Sequence, residues 1–349
     1  MAPDVPASEP DRDDVLGPGE LARSERVRGS KSVAPAAGRD ARGPGEIPAP
    51  GWWQVLGRVW RETISDQTSM TAASCAFFAM LALFPGISVL ISLYGLAFDP
   101  AAIERQLQAV RGVLPAAAFD LVAQRLHDLA SRPAAQLSWG LALGVLVALW
   151  SASAGTKSLM SALNVAYEEE EKRGLIRFNL TALFFTLCGI LGVVAALALI
   201  VGLPAFLRLE VVGPIGQLAA RGVSYLLLLA SVVLGLALLY RYAPSRRRAH
   251  WRWVTPGSLL AAVAWLAASI LFSLYVGRFA SYDATYGPLG AVVVLLIWFY
   301  LSAFVVMLGA ELNAELELQT SRDTTRGPER PLGRRGAFVA DHVAAAPPG

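Results

Sequence analysis

The stretch WSASAGTKSLMSALNVAYEEEEKR places Ser153, Lys157, Met160 and Asn164 at spacings of four, three and four. On a helix those spacings form one stripe. The stripe lies in an otherwise apolar run, and an ionisable side chain inside a membrane span is a candidate functional group. The natural partner of Lys157 is Glu311, at similar depth in the last apolar run, with Asn313 beside it. The alternatives are a lysine that snorkels to the headgroups and a solvated interfacial carboxylate. Three further sets belong with these. Asp66 precedes the first apolar run, either as a helix cap or at the mouth of a pathway. Pro85, in FPG, removes a backbone hydrogen bond from that run, leaving either a kink or a discontinuous helix facing a cavity. Tyr282, Asp283 and Tyr286 crowd an outer loop that is either an aromatic belt or a small polar pocket. The chemistry these residues suit is a polar cavity between helices.

Arg241, Arg246, Arg247, Arg248 and Arg252 cluster with two tryptophans in RYAPSRRRAHWRW. Such a run anchors a helix at an interface or binds anionic lipid headgroups. Nothing comparable supports bond-making chemistry. His127, His250 and His342 are scattered, so neither a metal site nor a cofactor is expected. Glu168 to Glu171 are adjacent and read as a solvated turn. A nuclease needs a reachable cluster of metal-binding carboxylates or histidines, or an acid–base pair. Phosphate loops, nucleophile elbows and zinc-protease helices are missing too. The chain is expected to be no enzyme and to bind no nucleic acid.

These residues must be held by membrane helices. Of the 349 residues 55% are hydrophobic and 16% charged, against about 25% charged in soluble domains; mean hydropathy is +0.48. The charges gather at the two ends and in short runs between. Cys75 and Cys188 both fall in apolar runs, so no disulfide framework is implied. The spacing predicts an all-α, polytopic membrane protein: a bundle of six transmembrane helices near 72–97, 138–163, 181–207, 218–241, 254–277 and 288–312. Pro256-Gly257 suits the start of the fifth. Residues 1–50 and 319–349 read as disordered cytosolic tails, flanking a transmembrane domain over 51–318. The Lys and Arg bias of alternate loops places both termini in the cytosol.

Two segments read as amphipathic and interfacial. In GWWQVLGRVWRETI, Trp52, Leu56, Val59, Trp60 and Ile64 share a face. The outer loop 98–137 holds two apolar periods, over 101–132, divided at Pro115. A faint echo at an offset of 149 aligns Ser153 and Asn164 with Ser302 and Asn313.

Taken in order, AASCAFFAMLALFPG, WSASAGTKSLMSALNVAYEEEEKR, YRYAP with TPGSLLAAVAW, and YGPLGAVVVLLIWFYLSAFVVMLGAELNAELE resemble the YihY/BrkB family of bacterial inner-membrane proteins, over about 55–318. The resemblance implies a six-helix bundle in the cytoplasmic membrane with both ends cytosolic. It implies no secure activity: some members carry a ribonuclease label, others an association with virulence. Two functions are expected from the residues. One is an envelope-related transporter or lipid translocase, with membrane lipids as partners. The other is a non-catalytic envelope scaffold that docks a periplasmic protein through loop 98–137.

Overall fold

The structure is a computed structural model that describes residues 37–65, 68–97, 134–197, 214–278 and 288–344. The expected outer-loop helices over 101–132 lie outside the described residues, as do residues 1–36 and 345–349 of the tails. Eight helices follow in order: α1 (Ala49–Ser65), α2 (Thr68–Ala97), α3 (Ala134–Ala166), α4 (Leu175–Leu197), α5 (Pro214–Tyr242), α6 (Trp251–Arg278), α7 (Pro288–Leu318) and the short α8 (Phe338–Asp341). Among the described residues the only β pairing is one isolated bridge, Ala249 to Thr325, so the chain is all-α.

Five of these helices contain stretches long and apolar enough to cross a membrane: Leu143–Ala166, Leu175–Ala196, Gly222–Tyr242, Trp251–Val276 and Val292–Leu318. In α2 the apolar stretch so recognised is the shorter Thr68–Leu83. Helices in lipid satisfy every backbone group internally. Accordingly α2 runs helical without interruption through Pro85 and Gly86. Of the two alternatives at Pro85, the discontinuous helix is not formed.

Helix α7 is the hub, packing most extensively on α6 and α2 and also on α1, α3 and α8. Its crossing with α6 is made by two glycines. A Cβ on Gly309 would lie 2.6 Å from the Gly257 carbonyl oxygen and 2.8 Å from the Ala261 methyl, so only bare backbone lets the helices approach this closely. Pro256 therefore sits inside α6, whose first turn begins at Trp251, and not at its start. The polar groups beside Pro256 are met from α7: the Gly257 amide donates to Asn313 Oδ1 at 2.8 Å, and Asn313 Nδ2 donates to the Val254 carbonyl at 3.2 Å.

The expected tails are in part folded. Residues 37–48 and 319–344 pack together over one end of the bundle, hereafter the basic end. The Ser321 amide donates to the Arg39 carbonyl at 2.8 Å, Thr320 Oγ1 to the Ala41 carbonyl at 2.8 Å, and Gln319 Nε2 to the Ala37 carbonyl at 3.0 Å. Arg335 is 5% exposed. Its guanidinium donates to the carbonyls of Ser321, Arg322, Arg330 and Ala340. Such a segment shows no apolar period because hydrogen bonds, with few apolar side chains, hold it.

Helix α1 divides its apolar residues differently from the expectation. Val55 and Val59 are buried, while Trp53, Leu56, Trp60 and Ile64 are exposed along one stripe. The buried face is locked to α7 by Arg58, which pairs with Glu315 and donates to Gln319 Oε1 at 2.7 Å.

A cavity with a basic mouth

Helices α2, α3, α4, α5 and α7 border an open-sided cavity of about 2100 Å³. Its deeper wall is apolar, with Leu83, Leu149, Phe184, Ile190, Leu234 and Phe299. Where the wall is polar it is self-satisfied: across α3 and α4 the Thr156 hydroxyl donates to Thr186 Oγ1 at 2.8 Å, and Thr186 in turn donates to the Ala182 carbonyl at 2.8 Å. Toward the basic end the wall changes character. Lys172, Arg173, Arg177, Arg241, Arg246, Arg247 and Arg248 line it, and among the described residues no Asp or Glu does.

The carboxylates stand behind that wall. Arg246 has a side chain 0% exposed, pairs with Glu317 at 2.5 Å and lies 4.3 Å from the centre of the Tyr167 ring. Glu317 also accepts from Thr324 Oγ1 at 2.6 Å. Arg173 pairs with Glu171 at 2.7 Å and donates to the Ala243 carbonyl at 2.8 Å. Lys172 reaches Glu169 at 3.5 Å and Arg247 reaches Asp323 at 4.0 Å. The remaining three cations of the wall, Arg177, Arg241 and Arg248, have no carboxylate within salt-bridge distance among the described residues. Arg241 is 2% exposed, with its guanidinium over the Trp251 ring at 4.4 Å. Arg248 is exposed and lies 4.7 Å from the Tyr242 ring centre.

Protonation follows these surroundings. Burial, then the charges of Arg252 and Arg241, push the His250 imidazole below its ordinary value, as expected beside uncompensated positive charge. Burial pushes the Glu169 carboxyl up, against the hydrogen bond from the Phe338 amide and the charge of Lys172. Burial acts the same way on Glu171, but hydrogen bonds from Arg173 and Asn164 outweigh it and bring that carboxyl down to about 2.

The expected site residues divide into three groups. Asp66, Tyr282, Asp283 and Tyr286 lie outside the described residues, as does the side chain of Pro85. Ser153, Lys157, Asn164, Glu311 and Asn313 are described, yet none is on the cavity wall; the face of α3 that lines it carries Ala152, Gly155, Thr156 and Leu159. Lys157 turns to α4, donating to Asn179 Oδ1 at 3.2 Å with the Trp150 ring 5.1 Å away. It was expected to meet Glu311, which instead lies 3% exposed among the buried groups of α7. Asn164 receives the Ser245 amide at 2.8 Å and donates to Glu171 at 3.0 Å. Asn164 and Asn313 thus share one job. Each side-chain amide clamps backbone in or next to the α5–α6 turn, which gives the echo at offset 149 a structural content.

The arginine run is the group that meets the cavity. Arg241, Arg246, Arg247 and Arg248 line it and Arg252 does not. Arg246 is withdrawn from any headgroup by its burial and its pairing with Glu317. The solvated turn expected at Glu168 to Glu171 is corrected at Glu169 alone, since Glu170 and Glu171 are exposed. Glu169 is 7% exposed and accepts from the Phe338 amide at 2.6 Å, tying α3 to α8. Lys172, Arg173 and Arg177 were not expected at the cavity. The available signal was that two basic runs, 172–177 and 241–248, border the ends of successive apolar stretches.

Among the described residues no group of three or more His, Cys, Asp or Glu is placed to hold a metal ion.

Known proteins place the chain. Residues 59–333 match the family described as Virulence factor BrkB. A Bacillus subtilis (strain 168) protein named as ribonuclease-like, YfkH, is 35% identical over 269 residues, covering 73% of this chain and 92% of that protein. A UPF0761 membrane protein of Pseudoalteromonas translucida (strain TAC 125) is 26% identical over 284 residues, covering 79% and 89%. Another, from Verminephrobacter eiseniae (strain EF01-2), is 30% identical over 274 residues, covering 76% and 62%. No solved structure matches. With the match extending over most of the sequence and several helices apolar enough to span a bilayer, the chain belongs to the BrkB family of membrane proteins.

Proposed function

We propose that this protein is a transporter or lipid translocase of the bacterial cytoplasmic membrane, with six spans and both termini in the cytosol. The observation that carries the reading is the cavity of about 2100 Å³ between five helices, apolar in depth and cationic at one end. Ligand pockets for drug-sized molecules run to roughly 1,000 Å³, so this volume suits a larger amphiphile. The basic end is the cytosolic one on this reading, because Lys and Arg concentrate on that side of membrane proteins. The sixth span is α2, whose 30 residues reach about 45 Å at the helical rise. The ribonuclease-like wording of one relative finds no metal-holding cluster among the described residues to support it.

The test is a leaflet-exchange assay in proteoliposomes with phospholipids carrying a fluorescent acyl chain. Purified protein is expected to accelerate exchange. Thr156→Trp, which fills the cavity where α3 meets α4, is expected to abolish the acceleration while the protein stays folded. Exchange no faster than in protein-free vesicles, or unaffected by the filled cavity, overturns the proposal.

A further inference from the structure

Resting on that reading of the cavity, we infer that its mouth is a binding site for a phosphate-type anionic group, and that the ligand is an amphiphile whose chains lie in the apolar groove beside it. Two independent observations carry this. The first is the charge of the wall: seven cations and, among the described residues, no carboxylate. Arg177, Arg241 and Arg248 remain after the paired cations are set aside.

The second is Arg241 itself. It is 2% exposed, lines the mouth, and its Nε and Nη1 have no hydrogen-bond acceptor. Its neighbours are the ring faces of Trp251 and Tyr242, at 4.4 Å and 5.5 Å. Ring faces attract a cation but supply no counter-charge. A buried guanidinium without an anion is costly, and an anion at the mouth removes that cost. Arg177 and Arg248 are the exposed arms above it.

The donor set fits phosphate better than carboxylate. One carboxylate presents two oxygens in a plane, which a single guanidinium fork satisfies. Three guanidinium groups offer more donors than one carboxylate uses, and the tetrahedrally arranged oxygens of a phosphate ester can accept from more than one fork. The open groove beside the mouth is lined by the exposed side chains of Leu234, Leu238, Phe184 and Ile190, which suits hydrocarbon and not a hydrated ion.

The shared chemistry has two sources, a lipid headgroup and free phosphate, and binding separates them. The full-length protein in a neutral detergent is melted, following tryptophan fluorescence, with added phosphatidylglycerol, phosphatidylcholine or inorganic phosphate. A ligand that binds only the folded state raises the midpoint with concentration. Phosphatidylglycerol is expected to raise it and phosphatidylcholine to do so far less. Arg248→Gln and Arg177→Gln are each expected to weaken the phosphatidylglycerol response about tenfold, the scale of one charged hydrogen bond. Arg61→Gln, an exposed charge off the cavity, is expected to leave it unchanged.

If inorganic phosphate alone gives the arginine-dependent response, the site stands as an anion site and the amphiphile is refuted. If neither ligand's effect depends on Arg177 or Arg248, or Arg61→Gln weakens it equally, the site is refuted. Because the readout is equilibrium binding, these outcomes are distinct from a failure of lipid exchange. The two exposed arginines keep the test valid should Arg241→Gln fail to fold.

Discussion

The crossing of α6 and α7 should respond sharply to a single methyl group at Gly257. A Cβ there would lie 2.5 Å from Asn313 Cγ and Nδ2, and closer still to the Gly309 carbonyl oxygen. Two responses are open to Gly257→Ala. Asn313 can turn away, which forfeits its bonds to the Gly257 amide and the Val254 carbonyl. Each is worth about 1 kcal/mol net, and a buried group left unsatisfied costs about 1–3 kcal/mol. The second, helix separation, is needed as well because the Gly309 carbonyl stays in the way, and it costs the roughly 1–3 kcal/mol typical of overpacking. Alanine's better helix propensity returns about 1 kcal/mol. The net loss is about 2–4 kcal/mol, and at roughly 2–4 °C per kcal/mol for a chain of this size the midpoint should fall by about 5–15 °C. Tryptophan-fluorescence melting in detergent measures it. Gly222→Ala, where a Cβ meets nothing within 4 Å, is the control and should melt at or above the parent. Because Gly257→Ala already displaces Asn313, adding Asn313→Ala should cost less than the two single losses summed. A Gly257→Ala protein melting with the parent, or strictly additive losses, would refute the reasoning.

Two further expectations concern the basic end. Removing one partner of the Arg246–Glu317 pair, whose side chains are both 0% exposed, strands a buried charge, and Arg246→Gln or Glu317→Gln should each cost about 3–5 kcal/mol in the same melt; a change below about 1 kcal/mol for either would show the charge to be compensated elsewhere. Glu171 sets a pH window: its folded-state carboxyl lies at about 2 against an ordinary 4.5, so its contribution is full above 4.5 and is lost as pH falls toward 2. Glu171→Gln should therefore flatten the fall in melting midpoint across that window, and an unchanged slope would show that Glu171 is not held by Arg173 and Asn164.

What was legible in the sequence follows from what apolar spacing encodes. Long runs without charge define membrane helices, because a bilayer gives backbone groups no other partner. The described parts of the six expected apolar runs fall on helices, the third only as far as Leu197. The bounds moved where capping turns extend past the apolar core: α7 continues six residues beyond its expected end, to Leu318. The folded tail segments were hidden for the opposite reason. Residues 319–344 are held by Arg335, Thr320 and Ser321 through backbone carbonyls, and such bonds leave no period.

The site divides the same way. Sequence alone determined that the protein is a membrane-embedded bundle and that its positive charge is concentrated in a few runs, since both depend on composition along the chain. Which face of each helix meets the cavity was decided only by tertiary packing. On α3, Lys157 and Asn164 were spaced as a functional stripe, yet Lys157 turned to Asn179 and Asn164 to the Ser245 amide. The cavity took the neighbouring face, with Thr156 and Leu159. Within the arginine run the fold made an equally hidden choice. Glu317 lies 71 residues from Arg246 and neutralises it, while Arg241, five residues earlier, packs against the rings of Tyr242 and Trp251 with no carboxylate beside it among the described residues. Charge is a property of the residue, but whether it is spent on structure or left for a ligand depends on which distant carboxylate the fold brings beside it.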